Sequence, residues 1–181
     1  MIFLLLADGF EETEALCTLD LIRRAELDII TVGIGKKEIT GSHNITVICD
    51  KTEDEISDIE SLTAVILPGG MPGTLNLEKS EFVNELIDFC YNNNVLLAAI
   101  CAAPSILGRK GFLENKKAVC YPGFENLLKN AEVLYEPVIK DGNIITSRGA
   151  GTTIPFALKI IEELKGSASA NKVKDSIICT I

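Results

Sequence analysis

The sequence has few of the residues on which several common kinds of site depend. It contains a single histidine, His43, and its cysteines form neither a C-x-x-C pair nor a paired zinc-knuckle spacing. A Cys/His metal cluster is therefore not expected. Most of the cysteines lie in apolar contexts, as reduced core cysteines do. The six are Cys17, Cys49, Cys90, Cys101, Cys120 and Cys179.

Basic residues and long apolar runs are also scarce. There are 17 Lys and Arg residues against 26 Asp and Glu, a net charge of −9, which argues against nonspecific binding to nucleic acid or to anionic lipid. An anionic small substrate is not excluded. The apolar start at residues 1–6 lacks a basic leader, is short for a signal peptide and runs straight into Asp8. No later run approaches a membrane span, so we expect a cytoplasmic protein with reduced thiols.

Apolar strand-like runs alternate with helical periodicity along all 181 residues, which predicts an α/β fold with a mostly parallel sheet. We expect one domain over residues 1–181, in which residues 166–181 are a small-residue spacer and a C-terminal packing tail. Residues 38–49 predict a small β excursion, and Asp141-Gly142 predicts a hairpin turn. The main strands are expected at 2–6, 28–34, 64–67, 95–100 and 144–147, and the helices at 12–26, 80–92, 104–110 and 155–165.

The most informative residue is Cys101. It ends the apolar run 95–100, and Pro104 opens a helix just behind it, so the cysteine is predicted to lie in a tight turn between a buried strand and a helix. The positive end of a helix dipole favours the thiolate there. The alternative is a buried structural cysteine; the small residues on both sides of Cys101 favour the nucleophile.

Three loops are predicted to converge on this cysteine. Residues 8–14 follow the first main strand, residues 68–73 follow the third, and Cys101 follows the fourth. If the sheet has the flavodoxin-like order 2-1-3-4-5, these three strands are neighbours. Their carboxyl ends then face one crevice at the topological switch point, where such sheets bind ligands.

Glu14 is the acidic residue expected to face this crevice. On a helix it shares a face with Cys17, Leu21 and Ala25, whereas Glu11 and Glu12 are expected to remain solvated. A carboxyl on an apolar face has a raised pKa and can stay protonated. Glu14 would then donate a hydrogen bond to the Cys101 thiolate. The alternative is that all three glutamates form a solvated acidic first turn.

Backbone amides are the expected anion-binding groups. Gly69 and Gly70 permit unusual backbone angles and lie between prolines that lack an N–H group. One N–H from this loop and that of Ala102 are predicted to form an oxyanion hole, although Pro-Gly-Gly alone is common in turns. Arg24 is either an anion-binding residue or a solvated helix-end arginine. His43 is interpreted as a surface or packing residue.

Four segments, read in order, resemble the ThiJ/PfpI superfamily, and within it the Parkinson's-disease-protein branch. They are residues 7–14 (ADGFEETE), 67–70 (LPGG), 99–104 (AICAAP) and 146–152 (TSRGAGT). The resemblance extends from residue 2 to about residue 164. It implies a flavodoxin-like three-layer sandwich, a homodimer, an elbow cysteine at Cys101 and a partner carboxyl at Glu14. It also implies oxyanion amides at Gly70 and Ala102, and substrate contacts at Gly69, Arg24 and Tyr121.

The resemblance implies two alternative functions. One is a cofactor-free glyoxalase or deglycase, in which Cys101 adds to methylglyoxal-type α-oxoaldehydes or acts on their adducts. The other is an oxidative-stress sensor or chaperone, in which Cys101 is oxidised to a sulfinate without turnover. Ala102 stands where the protease-like branch has a histidine, so a protease or amidotransferase is disfavoured. Tyr121 stands where several deglycase-like members have a histidine, and tyrosine is a poor base at neutral pH.

Overall fold

The structure, a computed structural model, describes residues 1–180. The strands are β1 (Ile2–Leu6), β2 (Ile29–Gly33), β3 (Glu38–Thr40), β4 (Thr46–Ile48), β5 (Lys51–Thr52), β6 (Ala64–Leu67), β7 (Leu96–Ile100), β8 (Lys117–Ala118), β9 (Glu132–Val133), β10 (Val138–Asp141) and β11 (Ile144–Ser147). The helices are α1 (Thr18–Arg24), α2 (Gly73–Lys79), α3 (Glu81–Asn92), α4 (Pro104–Arg109), α5 (Thr153–Lys165) and α6 (Ser167–Ser176). A π-helical turn at Thr13–Cys17 runs directly into α1.

A seven-stranded sheet runs in the order β10-β11-β7-β6-β1-β2-β5. All neighbours are parallel except the β10–β11 hairpin at one edge. The five main strands are therefore ordered 2-1-3-4-5, which confirms the flavodoxin-like prediction. Because β1, β6 and β7 are adjacent, their carboxyl ends lie side by side at the switch point.

Helices cover both faces of the sheet, so the fold has three layers. Alternate residues of β1, β6 and β7 pack on α1, α5 and α6 on one face and on α2, α3 and α4 on the other. Every residue of these three strands is buried. This explains why their sequences are continuous apolar runs without the alternation of a half-exposed strand.

The predicted hairpins are confirmed, whereas two helices were missed. β3 pairs with β4 inside the expected excursion, and β10 pairs with β11 around Asp141-Gly142. No helix was expected at α2, whose first residue, Gly73, closes the glycine- and proline-rich segment 68–73. The expected spacer is wrong, since α6 begins at Ser167 and packs Ala170 and Val173 into the core beside α5. Residue 181 of the predicted tail lies outside the described residues.

No helix within residues 1–180 is both long enough and apolar enough to cross a membrane.

The packing of α6 can be tested at Val173, which is 3% exposed. Val173→Asp should lower the free energy of unfolding by about 2 kcal/mol or more, because an unpaired charge would replace a buried methyl pair. The exposed neighbour Lys172 provides the matched control, and Lys172→Asp should change the value by less than about 0.5 kcal/mol. Urea denaturation of both variants measures the difference. Equal effects would show that this segment is not packed.

Candidate active site

Cys101 occupies a sharp turn directly after β7. Its φ of +64° lies in the left-handed region, which a residue with a side chain adopts at a cost of order 1–3 kcal/mol. Two hydrogen bonds hold the turn: the Cys101 N–H donates to the Ser147 carbonyl over 2.9 Å, and the Cys101 carbonyl accepts from the Tyr121 N–H over 2.8 Å. The elbow predicted from the sequence is therefore present, and it is held from both sides.

Glu14 lies in the π-helical turn and points into the protein. It is 1% exposed, and its Oε2 accepts a hydrogen bond from the Gly69 N–H over 2.8 Å. Its Oε1 has no hydrogen-bond partner among residues 1–180, so this oxygen is free to carry a proton. Burial raises the pKa of Glu14 to about 7, an effect opposed by the neighbouring Cys101 side chain and the Gly69 N–H and reinforced by the Glu11 carboxylate.

Gly69 lies against both the Glu14 carboxyl and the Cys101 side chain, and a larger residue would not fit at this position. A Cβ on Gly69 would lie 2.6 Å from the Cys101 Cβ and 2.7 Å from the Glu14 Oε2. Any side chain at this position would push apart the two groups whose contact the site requires. The absence of a side chain here therefore determines how close the Glu14 carboxyl comes to Cys101.

The predicted lowering of the Cys101 pKa is wrong for the state in which Glu14 is ionised. Burial and the Glu14 carboxylate raise the pKa of the thiol to about 12, whereas the backbone N–H groups of Ala102 and Gly70 lower it. Protonation of Glu14 removes the opposing charge and leaves the two amides facing the sulfur. Near neutral pH the pair therefore carries one negative charge, which these pKa values place mainly on Glu14, and a thiolate requires transfer of the Cys101 proton to Glu14.

Gly70 and Ala102, the two predicted oxyanion residues, are brought together at the sulfur from different loops. Gly70 has a φ of +92°, and a Cβ there would lie 2.4 Å from the Glu11 backbone nitrogen. This glycine is required both by its backbone angle and by the close approach of the loop after β1. Its N–H group points into the crevice as a result.

Tyr121 lies on the open side of the crevice and is 50% exposed. A Cβ on Gly149 would lie 3.3 Å from the Tyr121 ring and 3.9 Å from the Cys101 Sγ, so Gly149 lies close to both the ring and the sulfur. Gly149 was not singled out from the sequence, although it belongs to the segment 146–152 that carries part of the family resemblance. Tyr121 also contacts Phe124 edge-on, with ring centroids 6.5 Å apart.

Arg24 is not brought to this cluster within the described chain. It lies in the last turn of α1, where its Nε donates to the Asp20 carboxylate over 2.7 Å. Ten residues of helix separate it from Glu14, roughly 15 Å at the usual helical rise. The alternative of a solvated helix-end arginine describes this placement.

Glu12 corrects a second expectation, because it is buried and not solvated. It is 6% exposed, and its carboxylate accepts hydrogen bonds from the His43 N–H and ring, the Ile45 N–H and the Ser42 hydroxyl. Burial alone would raise the pKa of Glu12, but these donors lower it to about 2. The hydrogen bond and charge of Glu12 raise the pKa of His43. Glu12 therefore anchors the turn of the β3–β4 hairpin beside the crevice.

Glu11, Glu12 and His43 are the one set of potential metal ligands found within residues 1–180, with ligand atoms within 4.8 Å of one another. Four protein donors already occupy the Glu12 oxygens. The geometry is that of a hydrogen-bonded anchor, and it supplies no group to the Cys101 sulfur.

Comparison with known proteins assigns this arrangement to a family. The model of the DJ-1/PfpI family matches residues 1–163. The chain belongs to the DJ-1/PfpI family. The Parkinson disease protein 7 homolog of Danio rerio is 35% identical over 178 residues, which cover 96% of this chain and 94% of that protein.

Two further comparisons give a similar solved structure and a relative with a named activity. The crystal structure of Drosophila melanogaster DJ-1beta superposes with a TM-score of 0.94 at 32% identity, covering 99% of this chain and 98% of that one. The chain is 27% identical over 173 residues to the glutathione-independent glyoxalase DJR-1.2 of Caenorhabditis elegans, covering 95% of this chain and 92% of that protein.

The raised pKa of Glu14 predicts a pH-dependent cost of folding. The folded-state pKa of about 7 exceeds the ordinary value of 4.5, so ionisation of Glu14 opposes folding only above pH 4.5, and this cost grows between pH 4.5 and 7 and is constant at higher pH. Glu14→Gln should therefore stabilise the protein more at pH 8 than at pH 4, by about 3 kcal/mol. Urea denaturation of both proteins at the two pH values measures this difference.

The charge-matched control is Glu26→Gln, because the Glu26 side chain is 83% exposed. Its effect should be the same at both pH values. A Glu14→Gln effect that is equally independent of pH would contradict a buried, protonated carboxyl.

Proposed function

We propose that this DJ-1/PfpI protein is a cofactor-free glyoxalase or deglycase that acts on small α-oxoaldehydes or their early adducts through Cys101. The observation that carries the proposal is the juxtaposition of a thiol on a strained elbow with a buried carboxyl whose pKa is about 7. Such a carboxyl can give and take a proton near neutral pH. The similarity to a relative named as a glutathione-independent glyoxalase supports the same class of reaction.

The reaction begins from the state in which Glu14 holds the proton. The Cys101 thiolate forms a C–S bond with the aldehyde carbon of methylglyoxal, and the carbonyl π electrons move to oxygen. The Gly70 and Ala102 N–H groups stabilise the developing oxyanion, which takes the proton from Glu14. The product of this step is a neutral hemithioacetal next to a carboxylate.

Glu14 then acts as the base. It removes the hydrogen from the former aldehyde carbon and returns a proton to the adjacent carbon, while the hydroxyl proton passes to the neighbouring oxygen, and the hemithioacetal becomes a lactoyl thioester. Water cleaves this thioester to lactate and the free thiol. The net reaction is methylglyoxal plus water to lactate, with no external oxidant or reductant.

The oxidation-sensor function is the second candidate, and the same amides favour it. Donors that stabilise an oxyanion also stabilise the oxygens of a sulfinate on Cys101, and a protonated Glu14 adds another donor. The homodimer implied by the family resemblance stays a prediction, as does cytoplasmic localisation.

Lactate production from methylglyoxal tests the enzymatic function. We expect turnover by the native protein, its loss in Cys101→Ser, and its retention in Cys17→Ser, which alters another half-buried cysteine. Peroxide titration followed by mass spectrometry, on the same three proteins, tests the sensor. If no lactate production depends on Cys101, the enzymatic function is excluded. If all six cysteines are oxidised without selectivity, the sensor function is excluded.

Tyr121 provides a separate test, because its ring packs near Gly149 at the crevice and a tyrosine hydroxyl is a poor base at neutral pH. Tyr121→His should raise kcat for methylglyoxal by about tenfold or more, since a positioned imidazole contributes proton transfer in this range of pH. Tyr121→Phe keeps the ring and removes the hydroxyl, and it should leave kcat within about threefold of the native value. A large loss in Tyr121→Phe would instead assign the hydroxyl a direct part in catalysis.

A further inference from the structure

A closed set of three hydrogen bonds surrounds the Gly69 peptide. The Glu11 N–H donates to the Gly69 carbonyl over 2.9 Å, the Gly69 N–H donates to the Glu14 Oε2 over 2.8 Å, and the Glu14 N–H donates to the Glu11 Oε2 over 2.7 Å. We propose that Glu11 is a positioning residue for Glu14: its carboxylate fixes the first helical turn and keeps on Glu14 the proton that makes Cys101 a thiolate. This inference rests on the pairing of Glu14 with Cys101 in the proposed function.

The packing around the set leaves it little freedom. Gly69 lies between Cys101 and Glu14, and Gly70 lies against the Glu11 backbone nitrogen, with no room for a side chain at either position. The Glu11 carboxylate accepts an N–H that the start of a helix leaves without an intrahelical partner. Loss of this acceptor would leave the Glu14 N–H without its partner at the start of the turn and loosen the position of the Glu14 backbone.

The charge of Glu11 contributes separately from its hydrogen bond. The Glu11 carboxylate accepts the Glu14 N–H. Its negative charge opposes the ionisation of Glu14 more strongly than the ionisation of Cys101. Glu11 therefore biases the one proton shared by the pair toward Glu14, in agreement with its effect on the pKa of Glu14. A lower pKa of Glu14 would move that proton to the sulfur and reduce the thiolate fraction.

The other charged groups around Glu11 and Glu14 are accounted for. Glu12 and His43 pair with each other on the β3–β4 side, and residues 68–73 include no titratable side chain. The first charged residue of α5, which packs against the same turn, is Lys159, and it pairs with Glu162. Pairing with Glu12 raises the pKa of His43, and a change in the charge of His43 would alter the field at Glu11.

Iodoacetamide alkylation of Cys101 as a function of pH tests the proposal without requiring turnover. It is followed by mass spectrometry on the full chain. Glu11→Gln keeps an acceptor for the Glu14 N–H and removes the charge. We expect the alkylation rate at pH 7 to 8 to fall about threefold to tenfold, with the midpoint of the neutral pH transition moved to lower pH.

The matched control is Glu81→Gln, which removes one acidic charge from the first turn of α3 and should leave the profile unchanged. His43→Gln in the same background identifies any part of the transition that belongs to the histidine. A Glu11→Gln profile identical to the native one would overturn the proposal, and a loss confined to Glu11→Ala would reduce Glu11 to a helix cap. Because the readout is alkylation, failure to produce lactate would refute the proposed function and leave this result standing.

Discussion

The contact between the buried Glu14 carboxyl and the Cys101 thiol imposes the main constraint on this structure. Two acidic groups share a site from which water is largely excluded, so both cannot be ionised at neutral pH without a large electrostatic cost. The surrounding backbone determines which of them holds the proton. Gly69 donates to the carboxyl, whereas Gly70 and Ala102 face the sulfur, so each group has its own donors and both charge states are supported.

The sheet brings these donors together, because the order of β1, β6 and β7 places three loops at one edge. The loops can approach this closely only because side chains are absent at critical positions. Gly9 illustrates the point away from the sulfur: a Cβ there would lie 2.4 Å from the Pro72 ring, and the loops after β1 and β6 would separate. A small displacement of either loop would change the distance between acid and thiol, to which the shared proton is most sensitive.

The sequence predicted the main strands, their order and the crevice, because buried parallel strands leave continuous apolar runs that periodicity detects. Helices with weak apolar periodicity were not predicted. Only Ala170 and Val173 of α6 are buried, so its packing on α5 is a tertiary effect with little trace in the local pattern. The expectation that Glu12 is solvated was wrong for a related reason. Its partners His43 and Ile45 lie about thirty residues away, and no local pattern identifies a hairpin turn that closes over a carboxylate.

The same limit applies to the chemistry of Cys101. The sequence places the thiol at a helix start and so predicts a lowered pKa, because helix dipoles are visible in sequence order. Burial and the charge of Glu14 act in the opposite direction, and both depend on how three separate loops meet. Reactivity at this elbow is therefore a property of the Glu14–Cys101 pair, and it depends on whether Glu14 holds the shared proton.

An α-oxoaldehyde and a peroxide would react with the same thiolate. The groups that act after this first step would therefore determine whether turnover or oxidation follows. Glu14 can carry out the proton transfers of turnover only after it has given up its proton, whereas a sulfinate is best stabilised while Glu14 keeps it. In the proposed reaction, conditions that ionise Glu14 after addition would favour turnover, and those that leave it protonated would favour the sulfinate.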